Sequence, residues 1–352
     1  MEASMRDAID PRSGPPRYSD LWTIASLVRA LVLVASLLLS CGTPARSDDH
    51  ISPLQPAETG GIGELKTNRF DIAYVEPKNP AYRPLLDILK KEQILEKVQA
   101  LLAPVKLPIQ ITLKLESCDG VANATFWEDY IRVCYEYIEY AWKQARSATI
   151  PGFSPRDAMI GPTVEVFLHE AGHAVLEVLD IPFFGREEEV ADYFATYILL
   201  QLCKDDARRL VLGASFVNGR EAADEQGKMP EPRLLANTHS LPGQRFFNRW
   251  CMAYGANPVL FADAVGIGML PQSRAKHCRY EYRTNEFAFK TLIQPYIDQE
   301  LQQKVLATKW FESPAMGGDC SEAVSAVSDR LPASRPETAP GVQPEAASQL
   351  RP

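Results

Sequence analysis

His169-Glu170-Ala171-Gly172-His173 places two imidazoles four residues apart with a glutamate beside the first. On a helix that spacing turns both rings to one face, where they can share a zinc ion, and sets the glutamate beside the water the ion binds. The chemistry predicted is hydrolytic. A catalytic zinc takes three protein ligands and keeps one position open. A third histidine six residues past His173 is excluded, because Leu179 stands there and Leu176 takes the place of the accompanying glycine. Fifteen residues past His173 comes Glu188, with Asp192 at i+4 on the same helix face. Glu188 is the expected third ligand. Asp192 is the expected partner of a ligand histidine, preferably His169, fixing its tautomer and raising its basicity. Glu187 and Glu189 are expected to point elsewhere, as first-turn residues favoured by the helix dipole.

These groups need two helices and a short connection. A loop with Pro151, Gly152, Pro155, Gly161 and Pro162 leads to a helix over about Thr163 to Leu179, packed through Val164, Phe167, Leu168, Ala171, Val175 and Val178. Its Glu165 and Glu177 face water in this reading. Ile181-Pro182 stops the helix, Phe183 to Arg186 form a loop, and a second helix runs from about Glu187 to Leu202. Upstream, Phe70 to Val75 read as a strand, and Pro84 opens a helix to Leu102. Ile109 to Glu116 alternate strictly and mark a strand with one buried face. Val121 to Trp127 and Tyr130 to Cys134, parted by Glu128-Asp129, extend it into an antiparallel meander, and a helix follows from Tyr135 to Arg146. Pro242 to Trp310 read as mainly helical, with breaks at Gly255 to Pro258 and near Pro271. The fold class expected is α+β.

The chain has 352 residues, 46% hydrophobic and 23% charged, an ordinary globular balance. Its net charge of −8 contains no basic block to follow a phosphate backbone, so nucleic acid is not an expected partner. Ala30 to Ser40 is too short an apolar run for a permanent membrane span but suits a secretory signal. Its end, Leu38-Leu39-Ser40-Cys41, resembles a bacterial lipobox, which implies a lipid on Cys41 and membrane attachment. Cleavage near Ala45, discarding Cys41, is the alternative. The expected location is the bacterial cell envelope, as a periplasmic-side lipoprotein or as a soluble periplasmic or secreted protein. Six further cysteines suit an oxidising compartment. Cys118 with Cys134 and Cys251 with Cys278 are the expected pairs, leaving Cys203 and Cys320 by elimination. The organisation predicted is a signal over residues 1–41, a flexible tether over 42–65, a folded body over 66–313 and a disordered tail over 314–352.

HEAGH followed by Glu188-x-x-Ala191-Asp192 resembles the gluzincin group of zinc metallopeptidases, which includes thermolysin and the CAAX-prenyl-protease type. More closely, the run from Leu107 to about Tyr282 resembles a bacterial family of exported metallopeptidases of unassigned function. Cys118, Asn123-Ala124, Cys134-Tyr135-Glu136, the two zinc motifs and Cys251-x-x-Tyr254-Gly255 carry that likeness. It implies a zincin-like body in which a small antiparallel sheet lies over the motif helix and one Zn2+ is bound by His169, His173 and Glu188. It further implies an edge strand, Val121 to Phe126, offered to an extended peptide or protein substrate, with Asn123 and Ala124 as contacts. Glu170 would be the general base of a water attack. Thr238-His239-Ser240 and Arg245 are similar to the Thr-His-Pro segment and following arginine of the CAAX-prenyl-protease type, which makes His239 and Arg245 the candidate oxyanion donors; a His239 that caps the following helix and an Arg245 paired with a surface carboxylate are the alternatives. Ser240 stands where that family has proline. A zinc-binding, membrane-anchored module without catalysis is the alternative function.

Overall fold

The computed structural model describes residues 63–146 and 154–310. The signal segment, Cys41, residues 42–62 of the tether, Cys320 and the 314–352 tail lie outside the described residues. The chain opens with β1 (Phe70–Tyr74), then α1 (Arg83–Lys91) and α2 (Ile94–Leu102). One helix is predicted here, but Gln93 takes a left-handed φ of 53° and divides it in two. β2 (Ile111–Glu116), β3 (Ala124–Trp127) and β4 (Tyr130–Cys134) follow, and α3 (Tyr135–Ala145) leaves β4 directly.

The α+β class holds, but the sheet is mixed where an antiparallel one is expected. Its order is β1-β2-β4-β3, with β1 parallel to β2, β2 parallel to β4, and β3 antiparallel to β4. The reason lies in side-chain polarity. Ile131 and Val133 of β4 are fully buried and take the inner place beside Ile111, Leu113 and Leu115 of β2. β3 has no fully buried residue, so it is the strand that can stand at the edge. A disulfide between Cys118 and Cys134 ties the loop before β3 to the end of β4.

The helical part comprises α4 (Pro155–Val178), α5 (Glu187–Leu200), α6 (Lys204–Asp224), α7 (Pro232–Leu235), α8 (Pro242–Ala256), α9 (Asp263–Gly266), α10 (Gln272–Leu292) and α11 (Gln299–Leu306). α4 starts eight residues earlier than its sequence predicts. Ser154 and Asp157 form a capping box, Pro155 occupies the first turn, and Pro162 is carried inside the helix. Beside Pro162, Gly161 meets Gly213 of α6 so closely that an added Cβ would lie 2.5 Å from the Gly213 Cα. Every residue of α4 from Ala158 to Gly172 is buried, because α2, α3, α5, α6 and the strands β3 and β4 pack around it. Glu165 is therefore not in water as predicted: it accepts a hydrogen bond from the buried Arg249 of α8, whose other nitrogen donates to Ala214 and Asn218 of α6. A second disulfide, Cys251–Cys278, joins α8 to α10. Cys203 is also disulfide-bonded. Among the described residues no helix is long and apolar enough to cross a membrane.

Candidate active site

α4 and α5 are joined by the loop Leu179–Arg186, turned by Asp180 at φ 50° and Gly185 at φ 99°. The glycine of the histidine motif packs directly against α5. An added Cβ on Gly172 would lie 3.1 Å from the Ala191 Cα and 3.3 Å from the Ala191 and Phe194 Cβ atoms. Small residues here let α5 come close enough to present Glu188 to both histidines.

Three donor atoms converge. His169 Nε2 lies 3.1 Å from Glu188 Oε2, His173 Nε2 lies 3.3 Å from the same oxygen, and the two nitrogens are 3.2 Å apart. A tetrahedral zinc with bonds of about 2.0–2.1 Å holds its ligand atoms roughly 3.3 Å apart. The donor set and its spacing thus fit one zinc ion. In the metal-free chain a proton on one ring can bridge to the Glu188 oxygen, whereas a single cation would accept all three lone pairs at once.

The outer partners are as specific. His169 Nδ1 lies 2.9 Å from Asp192 Oδ1, where the sequence places Asp192. Arg245 of α8 donates from Nη2 to Oδ1 (2.6 Å) and from Nε to Oδ2 (2.8 Å) of Asp192. The structure thus engages Arg245 with Asp192, where the resemblance implies an oxyanion donor. Glu187, expected to point away, lies 2.7 Å from His173 Nδ1 and does for that ring what Asp192 does for His169. No local signal separates Glu187 from Glu189; the crossing of α4 and α5 does. Glu189 accepts from Ser240 in the loop before α8. Ser240, the departure from the family pattern, thereby pins that loop to α5. On the same loop His239 Nε2 reaches 2.9 Å from Glu188 Oε2, its ring stacked 6.0 Å from that of His169.

Burial would pull the His169 pKa down. The hydrogen bonds of Asp192 and Glu188 and the Asp192 charge outweigh it, and the pKa rises from 6.5 to about 10. His173 is raised by the same contest between burial and its bonds to Glu188 and Glu187. Burial also opposes ionisation of Glu188 and Asp192, yet the histidines hold the first, and Arg245 with His169 the second, far below the usual carboxylate range. Glu170 behaves oppositely: burial pushes its pKa up, and the nearby histidines and the Phe126 backbone N–H offset this in part.

His169, Glu170, His173, Glu188 and Arg245 line a cleft of about 460 Å³. The run Ala122 to Phe126 forms another wall of the same cleft, with the Phe126 backbone N–H beside Glu170. Among the described residues the outer edge of β3 has no ladder partner. A third wall was not foreseen: Tyr137 of α3 with Ala214, Val217, Asn218 and Glu221 of α6. The α6 residues recur at helical spacing, but polar and apolar types are mixed, so the pattern does not announce a cleft.

An α+β chain with two histidines and a carboxylate converging beside a buried glutamate has the donor set of a metal-dependent hydrolase. The chain belongs to the DUF4344 family, described as "Putative metallopeptidase", whose model matches residues 74–293. That span includes β2, β3 and β4, the histidine motif, Glu188 with Asp192, the third wall and Arg245. Nothing matches the chain among curated proteins or solved structures.

Proposed function

We propose that the chain is a zinc-dependent, gluzincin-like peptidase that hydrolyses peptide bonds by water attack, with Glu170 as general base. One observation carries the reading: Glu170 is buried, lines the cleft, and neighbours the converged His169, His173 and Glu188. Mere metal retention does not require a carboxylate at that position. A bound zinc ion supplies Lewis acidity, polarising a scissile carbonyl and making water acidic enough to lose a proton near neutral pH.

The remaining work falls to the chain's own groups. The raised pKa of Glu170 suits a base that takes a proton from water and returns it to the leaving amine. Asp192 and Glu187 hold the two imidazoles in one tautomer each, and Arg245 holds Asp192. His239, beside Glu188 and open to the cleft, is placed to donate to an oxyanion. The free edge of β3 aligns an extended peptide by main-chain hydrogen bonds, with Asn123 and Ala124 in contact, the arrangement of a zincin-like cleft. The proposal includes export and anchoring through Cys41; the disulfides Cys118–Cys134 and Cys251–Cys278 suit that compartment.

Glu170→Gln tests the mechanism. It should retain about one zinc per chain while peptide hydrolysis falls by at least ~10²–10⁴-fold. Hydrolysis surviving in a zinc-loaded Glu170→Gln chain would remove Glu170 as the base.

A further inference from the structure

We infer that the cleft contains a subsite for a cationic side chain, with Glu221 of α6 as its specificity-determining carboxylate, so that the preferred substrate carries lysine or arginine near the scissile bond. The inference rests on the peptidase reading and adds a substrate class to it.

The carboxylates facing the cleft differ in what neutralises them. Glu165 is paired with Arg249, and Glu187 and Glu188 with histidines. Arg245, the arginine lining the cleft, is committed to Asp192 through two hydrogen bonds. Glu221 has a different environment. Its Oε1 accepts from the Tyr140 hydroxyl at 2.8 Å and its Oε2 from Asn218 Nδ2 at 3.3 Å. Both donors are neutral, and among the described residues no cation lies within ion-pair distance of Glu221. The carboxylate is thus held in a fixed orientation on a cleft wall with its charge unspent. Burial, and then Glu221 itself, push the Tyr140 hydroxyl pKa up, so the donor stays protonated.

The surroundings suit a long basic side chain. Ala214, Val217, Asn218 and Glu221 recur at i, i+3, i+4 and i+7 and form one face of α6 toward the cleft. Ala214 and Val217 offer an apolar sleeve for an alkyl stem, and Glu221 at the end of the row receives the charged head. The wall belongs to the same cavity as Glu170, so the side chain it holds comes from a residue close to the bond attacked. Glu177 of α4, exposed and also lining the cavity with no ion pair among the described residues, adds negative charge to the cavity as a whole, which disfavours an acidic substrate side chain.

The test uses the zinc-loaded chain with fluorogenic peptides that differ by one residue, lysine, glutamine or glutamate, at each position flanking the cleaved bond. At one position the wild type should show kcat/KM about tenfold or more higher for lysine than for glutamine. Glu221→Gln should bring that ratio close to one, mainly through KM. Glu221→Lys should favour glutamate. Cleavage without a basic preference, or a preference surviving in Glu221→Gln, overturns the inference and leaves the peptidase reading standing. Anisotropy of the same peptides bound to Glu170→Gln separates the two claims. If no peptide is hydrolysed but the lysine peptide binds about tenfold tighter and loses this with Glu221→Gln, the subsite stands and the peptidase reading falls. Equal binding of all peptides overturns the subsite.

Discussion

Gly172→Ala should perturb the proposed zinc site without altering any of its candidate ligands. The new methyl carbon would lie 3.1 Å from the Ala191 Cα and 3.3 Å from two Cβ atoms. Carbon atoms in contact settle near 3.5–4.0 Å, so α5 must retreat by about 0.4 Å. Glu188 sits less than one turn before Ala191 and moves with it, while metal sites tolerate only about 0.2 Å in ligand position. Zinc affinity should fall about tenfold or more, the scale seen when the support of a ligand is disturbed. Stability of the metal-free chain should change little. Alanine gains about 1 kcal/mol over glycine inside a helix, and the crowding costs about 1–3 kcal/mol. Tenfold weaker binding removes about 1.4 kcal/mol of zinc-induced stabilisation, roughly 3–6 °C in the melting temperature of a domain this size. Competition with a chromophoric chelator, with melts recorded with and without zinc, measures both quantities. Adding Ala191→Gly removes one of the crowding atoms and should recover part of the affinity. A Gly172→Ala chain that binds zinc as tightly as wild type, with an unchanged zinc-induced shift in melting, would refute the coupling of helix spacing to ligation.

Two further outcomes concern the outer partners. Asp192→Asn leaves the largely buried Arg245 without its carboxylate, and should cost about 3 kcal/mol in denaturant unfolding and 10–100-fold in zinc affinity; a change under about 1 kcal/mol would show the pair to be dispensable. In the metal-free chain the His169 pKa is raised from 6.5 to about 10, so its stabilising contribution is fully present below pH 6.5 and is lost as pH climbs toward 10. Zinc must displace such protons, so its affinity should rise with pH across that window, with at least about one proton released per ion near pH 7.5, from His169 and in part from His173. Calorimetry in buffers of different ionisation enthalpy measures this, and binding without proton release would contradict it.

The convergence of His169, His173, Glu188 and Asp192 was legible because their residue types stand at helical intervals, and intervals survive in sequence. The alternation of β2 was legible for the same reason. The parallel neighbours of β2 were not, since strand order depends on which strand can be buried on both sides. Glu165 and Arg249 stand 84 residues apart, and nothing near either names the other. Glu187 and Glu189 share composition and neighbours, and are sorted onto His173 and Ser240 only by the angle at which α5 crosses α4. Pro162 reads as a helix breaker, yet α4 runs through it, packed at Gly161 against Gly213. The Arg245 contact with Asp192 likewise comes from the docking of α8 rather than from any motif.

The short link between α4 and α5 has a consequence for the denatured chain. His169 and Glu188 are separated by 19 positions. Closing a loop of that length costs only about (3/2)RT ln n beyond a constant, so the unfolded polypeptide keeps its three donors at high effective concentration. On the proposed zinc reading, the denatured chain should retain some attraction for the ion, which would then lower the free energy of both states. The melting shift that zinc produces should consequently be smaller than affinity for the native site alone implies. That difference, read against direct titration of the folded chain, reports how much of the site survives when the walls around it have gone.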